Sequence, residues 1–413
     1  MGNRKIAPTK KFGIDEGIAE FINRVKDDDE FKEKLDYIKE KKLQLETFIQ
    51  SGKTPVLEPV NRLVILRKFN SYTPALPSGS EQYSNKGGGY FLRIGDIGIV
   101  IDPGYNFLDN FLSAGYKLDD IDHIFISHAH NDHTVELESI FSLLFKRNKS
   151  ATISHKIKLY INLGGFKKFS GYFDLSTKKS KDYLDYITLL NKHQLIKLSD
   201  TIEVFTTQAK HHEMITCDYA LGFIFRITNV DNEKRVIKFT CDSGWSTENE
   251  TKNSEEGRLF DLEKVDILVA HIGSIKEMEM DYDISKTLIE NEQMGNLYEH
   301  HLGLIGCAAG TYYWKPEIVL LSEFGEELDA VRHRITKYLR DILKVKIIPT
   351  DINFVFNIDN LKVKCMKCKE FYDIEEVEIY HHNGQLYPIY SARLTPFEKQ
   401  DSNLWLNSIS IFE

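Results

Sequence analysis

The stretch Ser127-His128-Ala129-His130-Asn131-Asp132-His133 places three histidines and an aspartate within six residues, directly behind the largely apolar run 121–126. Imidazole nitrogen and carboxylate oxygen both suit zinc-like ions. In an extended segment His128 and His130 point to the same side, because side chains alternate with period two. Asp132 and His133 open a new turn, where their side chains diverge toward a second ion. One short loop can thereby supply ligands to two adjacent metals. A histidine-rich surface loop without metal is the competing reading, and the rest of the chain decides between them.

Working outward, composition bounds the answer. The chain has 413 residues and is 42% hydrophobic, which suits a globular protein with a sizeable core. Length alone allows two or three domains, or one large domain with extensions. The net charge of −9 excludes non-specific binding of polyanions, so any contact with nucleic acid needs a local basic patch. The five cysteines, Cys217, Cys241, Cys307, Cys365 and Cys368, are too few and too odd for a disulfide framework. Residues 1–11 are basic and lack an apolar signal core. No apolar run approaches the roughly 20 residues of a spanning helix. The expected location is cytoplasmic, with no membrane partner.

Residues 1–52 read as helical. Ile18, Phe21, Ile22 and Val25 follow helical spacing, Asp27 to Asp29 break and recap the chain, and Phe31, Leu35, Ile38, Leu45, Phe48 and Ile49 continue the stripe. Lys42 interrupts it, which argues against a coiled coil. The readings are an arm packed on its own domain or a homodimer contact. Strand-like residues 62–69 follow. Gly87-Gly88-Gly89 lacks the rest of any nucleotide-binding fingerprint and reads as the entry to a hairpin, 90–94 and 97–101, that ends in Asp102-Pro103-Gly104.

Beyond the cluster, residues 135–145 show helical periodicity, with Asp132 where a helix dipole favours a carboxylate. Residues 166–183 interleave Lys167, Lys168, Lys178, Lys179 and Lys181 with Phe169, Tyr172 and Phe173. Such a stretch either contacts phosphates and bases, through Lys167, Lys168 and Tyr172, or forms a solvated helix face. Strands at 202–207, 221–228, 236–240, 265–270 and 318–321 then deliver His211-His212, Asp242, His271 and Glu323 near their ends. His300-His301 precedes Leu302-Gly303, and a helix is expected at 328–343. Past 346 the chain becomes short-stranded. Cys365-Met366-Lys367-Cys368 is half a zinc ribbon, and 380–392 offers His381 and His382 but no cysteine, so a third, structural zinc is not expected.

Alternating strands and helices imply a layered α/β fold, in which sites collect at strand C-termini. A bridged dinuclear site needs about seven protein ligands, drawn from the loop and from separate strands. In this the sequence resembles the metallo-β-lactamase superfamily, whose signature is His-x-His-x-Asp-His, over most of residues 59–345. Asp102 looks like the aspartate that braces the metal loop, and Asp242 like the bridging aspartate. His211 looks like the third-motif histidine, with His212 its competitor, and His301 like the last ligand, with His300 its competitor. The resemblance implies an αββα sandwich with metals at one edge of two mixed sheets. An N-terminal helical extension (1–55), a catalytic domain (56–345) and a small β-rich C-terminal appendage (346–413) complete the expected architecture.

The resemblance also implies the ligand set. His128, His130 and His211 would hold one ion, Asp132, His133 and His301 the other, and Asp242 would bridge them. Zinc is the default, with manganese or iron using the same ligands. A bridging aspartate resembles the phosphodiesterase, nuclease and lactonase branches, and the nearest look is to the RNase Z-like branch. The chain departs from that branch at His271-Ile272-Gly273 (usually Glu-Ala-Thr), His301-Leu302-Gly303 (usually His-x-Thr) and Ser322-Glu323-Phe324 (usually Thr-His-Phe), and the 211–242 interval is too short for an inserted tRNA arm. The expected activity is dinuclear metal-dependent hydrolysis of a phosphodiester in RNA, DNA or a nucleotide second messenger. Asp132 would orient the nucleophile and His271, with Glu323 behind it, would protonate the leaving group; His271 braced against a ligand is the other reading. Hydrolysis of a lactone, thioester or other carboxylic ester is the alternative, followed by a catalytically silent metal-binding sensor.

Overall fold

The computed structural model describes residues 13–56, 61–70, 87–173, 183–212, 215, 219–262, 264–328, 331–352, 354–364, 371–372, 378–382 and 385–389. The chain divides into two units, Met1–Ser51 and Gly52–Glu413. The first unit contains α1 (Ile14–Asp27) and α2 (Asp29–Ile49). Asp28 separates them in extended conformation, and its side chain accepts the Phe31 N–H at 3.0 Å. The acidic run thus ends one helix and caps the next, as short carboxylates do.

The second unit is built on two sheets. Its strands are β1 (Arg62–Ile65), β2 (Tyr90–Ile94), β3 (Ile97–Ile101), β4 (His123–Ile126), β5 (Ile157–Ile161), β6 (Leu184–Leu189), β7 (Leu195–Lys197), β8 (Ile202–His212) and β9 (Tyr219–Thr228). They continue as β10 (Lys234–Phe239), β11 (Ile267–Gly273), β12 (Ile318–Phe324), β13 (Lys346–Pro349), β14 (Phe354–Asn357), β15 (Lys362–Lys364) and β16 (Phe371–Tyr372). One sheet has the order β16-β15-β14-β1-β2-β3-β4-β5-β6 and the other β13-β12-β11-β10-β9-β8-β7. β17 (Glu378–His382) and β18 (Gln385–Ile389) pair separately. The helices are α3 (Phe107–Ser113), α4 (Asn131–Ser150), α5 (Leu163–Lys168), α6 (Thr247–Arg258), α7 (Leu288–Gln293), α8 (Gly303–Trp314) and α9 (Arg332–Leu343).

Period-two alternation explains the layering. On β11, Ile267 and Val269 enter a core shared with Leu63, Leu92 and Phe354 of the other sheet. Leu268, Ala270 and Ile272 enter a second core with Cys307 and Trp314 of α8 and Leu339 of α9. On the opposite sheet Phe91 meets Phe111 of α3 edge-on, at 5.0 Å between ring centroids. Helices therefore cover both outer faces, giving the expected αββα order. Each fully buried Leu, Ile or Phe contributes about 1.5–3 kcal/mol. Cys241 is buried in the intersheet cluster.

Residues past 345 do not form a separate appendage as far as 364. β13 closes the second sheet, and β14 lies against β1 with Ile65 opposite Phe354 and Arg62 opposite Asn357. The apolar residues Phe354 and Phe356 belong to the intersheet core, which the end of α9 hides in the sequence. Cys217, Cys365 and Cys368 lie outside the described residues.

The glycines at 88 and 104 are required by close approach. A Cβ on Gly88 would lie 1.7 Å from the Leu66 carbonyl oxygen, and one on Gly104 would lie 1.6 Å from that of Asp132. The Gly87–Gly89 stretch thus packs backbone on backbone beneath the metal loop and holds no open phosphate cradle.

One buried histidine away from that loop sets a pH limit on stability. His123 opens β4 at 3% exposure, with Nδ1 3.3 Å from the Tyr160 hydroxyl. Burial, with Lys158 nearby, lowers its pKa to about 4. The unfolded chain therefore takes up this proton at about pH 6.5 and the folded chain does not, so stability falls from about pH 6.5 down to about 4 and then levels. At pH 5 the group should cost about 2 kcal/mol. Urea unfolding of His123→Gln at pH 7.5 and pH 5 should show an acid loss smaller by that amount than the parent's; an equal loss in both proteins would refute the assignment.

Candidate metal centre

Parallel strands bring their C-terminal ends to one edge of the sandwich. β3 delivers Asp102, β4 delivers Ser127 and His128, β10 leads to Asp242, β11 carries His271 and β12 carries Glu323. Three of the residues that turn these strand ends, Asp102, Cys241 and Glu323, have positive φ of 50°, 50° and 54°. A left-handed non-glycine residue costs about 1–3 kcal/mol, and such strain concentrates where side chains must be aimed. α4 begins at Asn131 rather than at 135, with His130 as its N-cap, so Asp132 and His133 stand in its first turn.

The geometry converges on Asp242. His133 Nε2 lies 3.0 Å from Asp132 Oδ2 and 3.1 Å from Asp242 Oδ2. His128 Nε2 lies 3.7 Å from the same Asp242 oxygen. His211 Nε2 faces His130 Nδ1 at 3.2 Å. On the other side, Asp242 Oδ1 lies 3.4 Å from His271 Nδ1 and 3.6 Å from His301 Nδ1. Three groups have donor atoms mutually within 4.8 Å: His128, His130, His211 and Asp242; Asp132, His133 and Asp242; and Asp242, His271 and Glu323. The structure brings the nominated residues together around Asp242, and the two histidine pairs differ in exposure. His211 turns inward and His212 is exposed; His301 is 7% exposed, whereas His300 is exposed and lends its carbonyl to His211 Nδ1 at 2.9 Å.

The braces are those that ligating imidazoles need, one nitrogen held and the other aimed inward. Asp102 accepts from the Ser127 amide at 2.8 Å and hydroxyl at 2.6 Å, and its Oδ2 lies 3.0 Å from His133 Nδ1. Ser127 Oγ in turn lies 2.9 Å from His128 Nδ1.

The donor set fits divalent ions. His128 Nε2 and His301 Nδ1 are buried without a hydrogen-bond partner, an arrangement that is costly unless a cation accepts the lone pair. Burial holds His128 well below the ordinary imidazole pKa, and burial with neighbouring histidines lowers His130 to about 4. Neutral imidazoles with free lone pairs are the ligating form. Against burial, His133 and Arg67 hold Asp132 at about 2, and Asp132 and Asp242 raise His133.

Two nominated roles change. His271 is wholly buried, with Nε2 2.9 Å from the Tyr90 hydroxyl and Nδ1 3.0 Å from Glu323 Oε1. The ring is enclosed by Tyr90, Glu323 and Asp242, which places it as a bracing or ligating residue rather than at an open face. The Lys168 ammonium donates to Ala129 O at 2.7 Å, Asn131 Oδ1 at 2.8 Å and Thr134 Oγ1 at 2.7 Å. It therefore clamps the metal loop rather than reaching outward. Lys167 is exposed, while the Tyr172 hydroxyl is tied to Glu138. Lys178, Lys179 and Lys181 lie outside the described residues.

Sequence reasoning missed Arg67, Tyr90 and the rim. Arg67 is 1% exposed and joins Glu323 Oε1 at 2.7 Å to the Asp132 carbonyl at 2.9 Å. At the mouth, Lys276 lies over Tyr298 at 5.0 Å, and Tyr298 flanks His300 and His301. These residues carry no motif; they meet only through the fold.

A family profile described as "Anti-Pycsar protein Apyc1" matches residues 81–262. No curated protein matches the sequence. Among solved structures, the yeast long-form RNase Z is 12% identical with a TM-score of 0.50, over 75% of this chain and 43% of that one. The metallo-β-lactamase fold protein YhfI from Bacillus subtilis is 14% identical with a TM-score of 0.49, over 72% of this chain and 99% of that one. A diphosphatase from the PhnP family is 14% identical with a TM-score of 0.48, over 73% of this chain and 99% of that one. The chain has the metallo-β-lactamase fold. No helix among its described residues is long and apolar enough to cross a membrane.

Proposed function

We propose that this protein is a dinuclear metal-dependent hydrolase acting on a phosphodiester. The observation that carries the reading is the sharing of one buried carboxylate, Asp242, among three donor groups at the strand ends. His128, His130 and His211 would hold one ion, with Asp132, His133 and Asp242 beginning the set for the other. Two divalent ions, when bound, lower the pKa of a shared water toward about 7 and neutralise charge developing on phosphoryl oxygens. The chain's own work is orientation. Asp102 and Ser127 fix the rings of His133 and His128, and Arg67 holds Asp132 by its carbonyl. The burial of His128, Asp132 and Asp242 keeps bulk water from the reacting groups.

The anionic substrate class is supported by the mouth rather than by segment 166–173. Lys276 lies over Tyr298, and His212 and His300 stand beside His211 and His301 there. Aromatic rings interleaved with cations suit a nucleotide better than a lactone. Purified protein loaded with zinc or manganese should hydrolyse bis-aryl phosphate and at least one of RNA, single-stranded DNA or a cyclic nucleotide, and should be silenced by chelation. Turnover of aryl ester or lactone, with none of any phosphodiester, would replace this substrate class with the carboxylic-ester one.

A further inference from the structure

β11 and β12 lie parallel, with His271 opposite Ser322, so Glu323 follows directly beside the His271 ring. The left-handed backbone at Glu323 turns its carboxylate toward that ring at the end of the strand. We propose that Glu323 and His271 are donors to the ion on the Oδ1 side of Asp242, and that this position takes a harder cation than zinc, of the manganese or iron(II) class. The inference rests on the dinuclear reading and deepens it.

Three observations carry it. First, the spacing is that of ligand atoms around one ion. His271 Nδ1 lies 3.0 Å from Glu323 Oε1 and 3.4 Å from Asp242 Oδ1. Donors bonded at about 2.0–2.2 Å stand roughly 3.0–3.5 Å from their neighbours. Second, the ring is oriented as a ligand. The Tyr90 hydroxyl, anchored 2.8 Å from Ser322 Oγ, holds His271 Nε2 and leaves Nδ1 facing both carboxylates. Third, charge is unbalanced. Asp102, Asp132, Asp242 and Glu323 are 0%, 4%, 2% and 0% exposed, and Arg67 is the guanidinium set among them. Glu323 Oε2 is buried without a hydrogen-bond partner, which one monovalent neighbour on Oε1 does not relieve.

The two positions then differ in chemistry. The Oδ2 side of Asp242 is richer in nitrogen, with the imidazoles of His128, His130, His133 and His211 against the single further carboxylate of Asp132. The Oδ1 side combines Asp242, Glu323 and His271, and Arg67 links Glu323 to Asp132 at its edge. Carboxylate oxygen suits manganese better than imidazole does, so zinc's general advantage in affinity is smallest on the Oδ1 side and metal supply decides the occupant there. His301, with Nδ1 3.6 Å from Asp242 Oδ1, is the rival donor.

The test uses the full chain, dialysed against manganese in large excess over zinc and assayed for metal per chain by mass spectrometry. The parent should retain two ions, one of each kind. Glu323→Gln should retain one, and Glu323→His, which restores a donor as nitrogen, should retain two with the manganese replaced by zinc. Anomalous diffraction from parent crystals, which needs no variant to fold, should place a manganese signal bonded to Glu323 and His271. Two unchanged ions in Glu323→Gln, with one lost in His301→Ala, would overturn the assignment while leaving the dinuclear reading standing. A parent that binds only one ion would overturn both.

Discussion

The Asp242→Ala protein is expected to lose hydrolytic activity by at least about 10³-fold, because it removes the one carboxylate shared by all three candidate donor groups. The carboxylate's two oxygens divide the labour, Oδ2 toward His128 and His133 and Oδ1 toward His271 and His301. A substitution at either side alone should spare one ion; this one should weaken both. Metal content per chain should therefore fall below that of any single histidine variant. Ligand binding raises stability by about 2.7 kcal/mol at one hundred times Kd, so the rise in Tm that zinc or manganese gives the parent should disappear with it. Asp242→Asn keeps the shape and one acceptor oxygen but not the charge, and should fall between. Full activity or an unchanged metal-induced Tm shift in Asp242→Ala would place the reaction elsewhere on the molecule.

What was legible beforehand has a physical pattern. His128, His130, Asp132 and His133 are local: a strand end, a two-residue alternation and the first turn of α4 aim them, so their spacing alone describes their geometry. His211, Asp242 and His301 were nominated through the resemblance, by their order along the chain. The sandwich was implied by the metallo-β-lactamase resemblance, whereas alternating strands and helices alone implied a layered α/β fold. Arg67 was invisible, because its partners Asp132 and Glu323 lie 65 and 256 residues away. It arrives through an isolated bridge between Phe69 and Phe324, a pairing that no local propensity encodes. Residues 346–364 misled for a related reason. They complete both sheets by joining strands far earlier in sequence, which looks like an appendage when read in chain order. Lys168 misled differently: interleaving with aromatics gave it a surface composition, and only the structure shows its ammonium closed on Ala129, Asn131 and Thr134.

Arg67→Met is expected to destabilise the metal-free fold by about 3–5 kcal/mol, the cost of leaving buried carboxylates without their cation. Methionine fills much of the volume, so the loss isolates charge and hydrogen bonding rather than a cavity. Glu323 Oε1 loses a 2.7 Å partner, and the Asp132 carbonyl loses a 2.9 Å one. Arg67→Lys keeps the charge but lacks the planar fork that reaches both residues, and should recover part of the loss. The pH dependence gives the sign. Burial already raises the Glu323 pKa, with Arg67 opposing the rise, so its removal raises that pKa further. A carboxyl with a raised folded pKa binds its proton more tightly when folded than when unfolded, so stability increases as pH falls through the raised value. Urea unfolding of metal-free parent and Arg67→Met at pH 7.5 and pH 5.5 should thus show a gap that narrows at the lower pH. Saturating metal should narrow it as well, since a divalent ion beside Glu323 supplies the missing charge. A gap that is below about 1 kcal/mol, or that widens on acidification, would show that the buried carboxylates do not depend on this guanidinium.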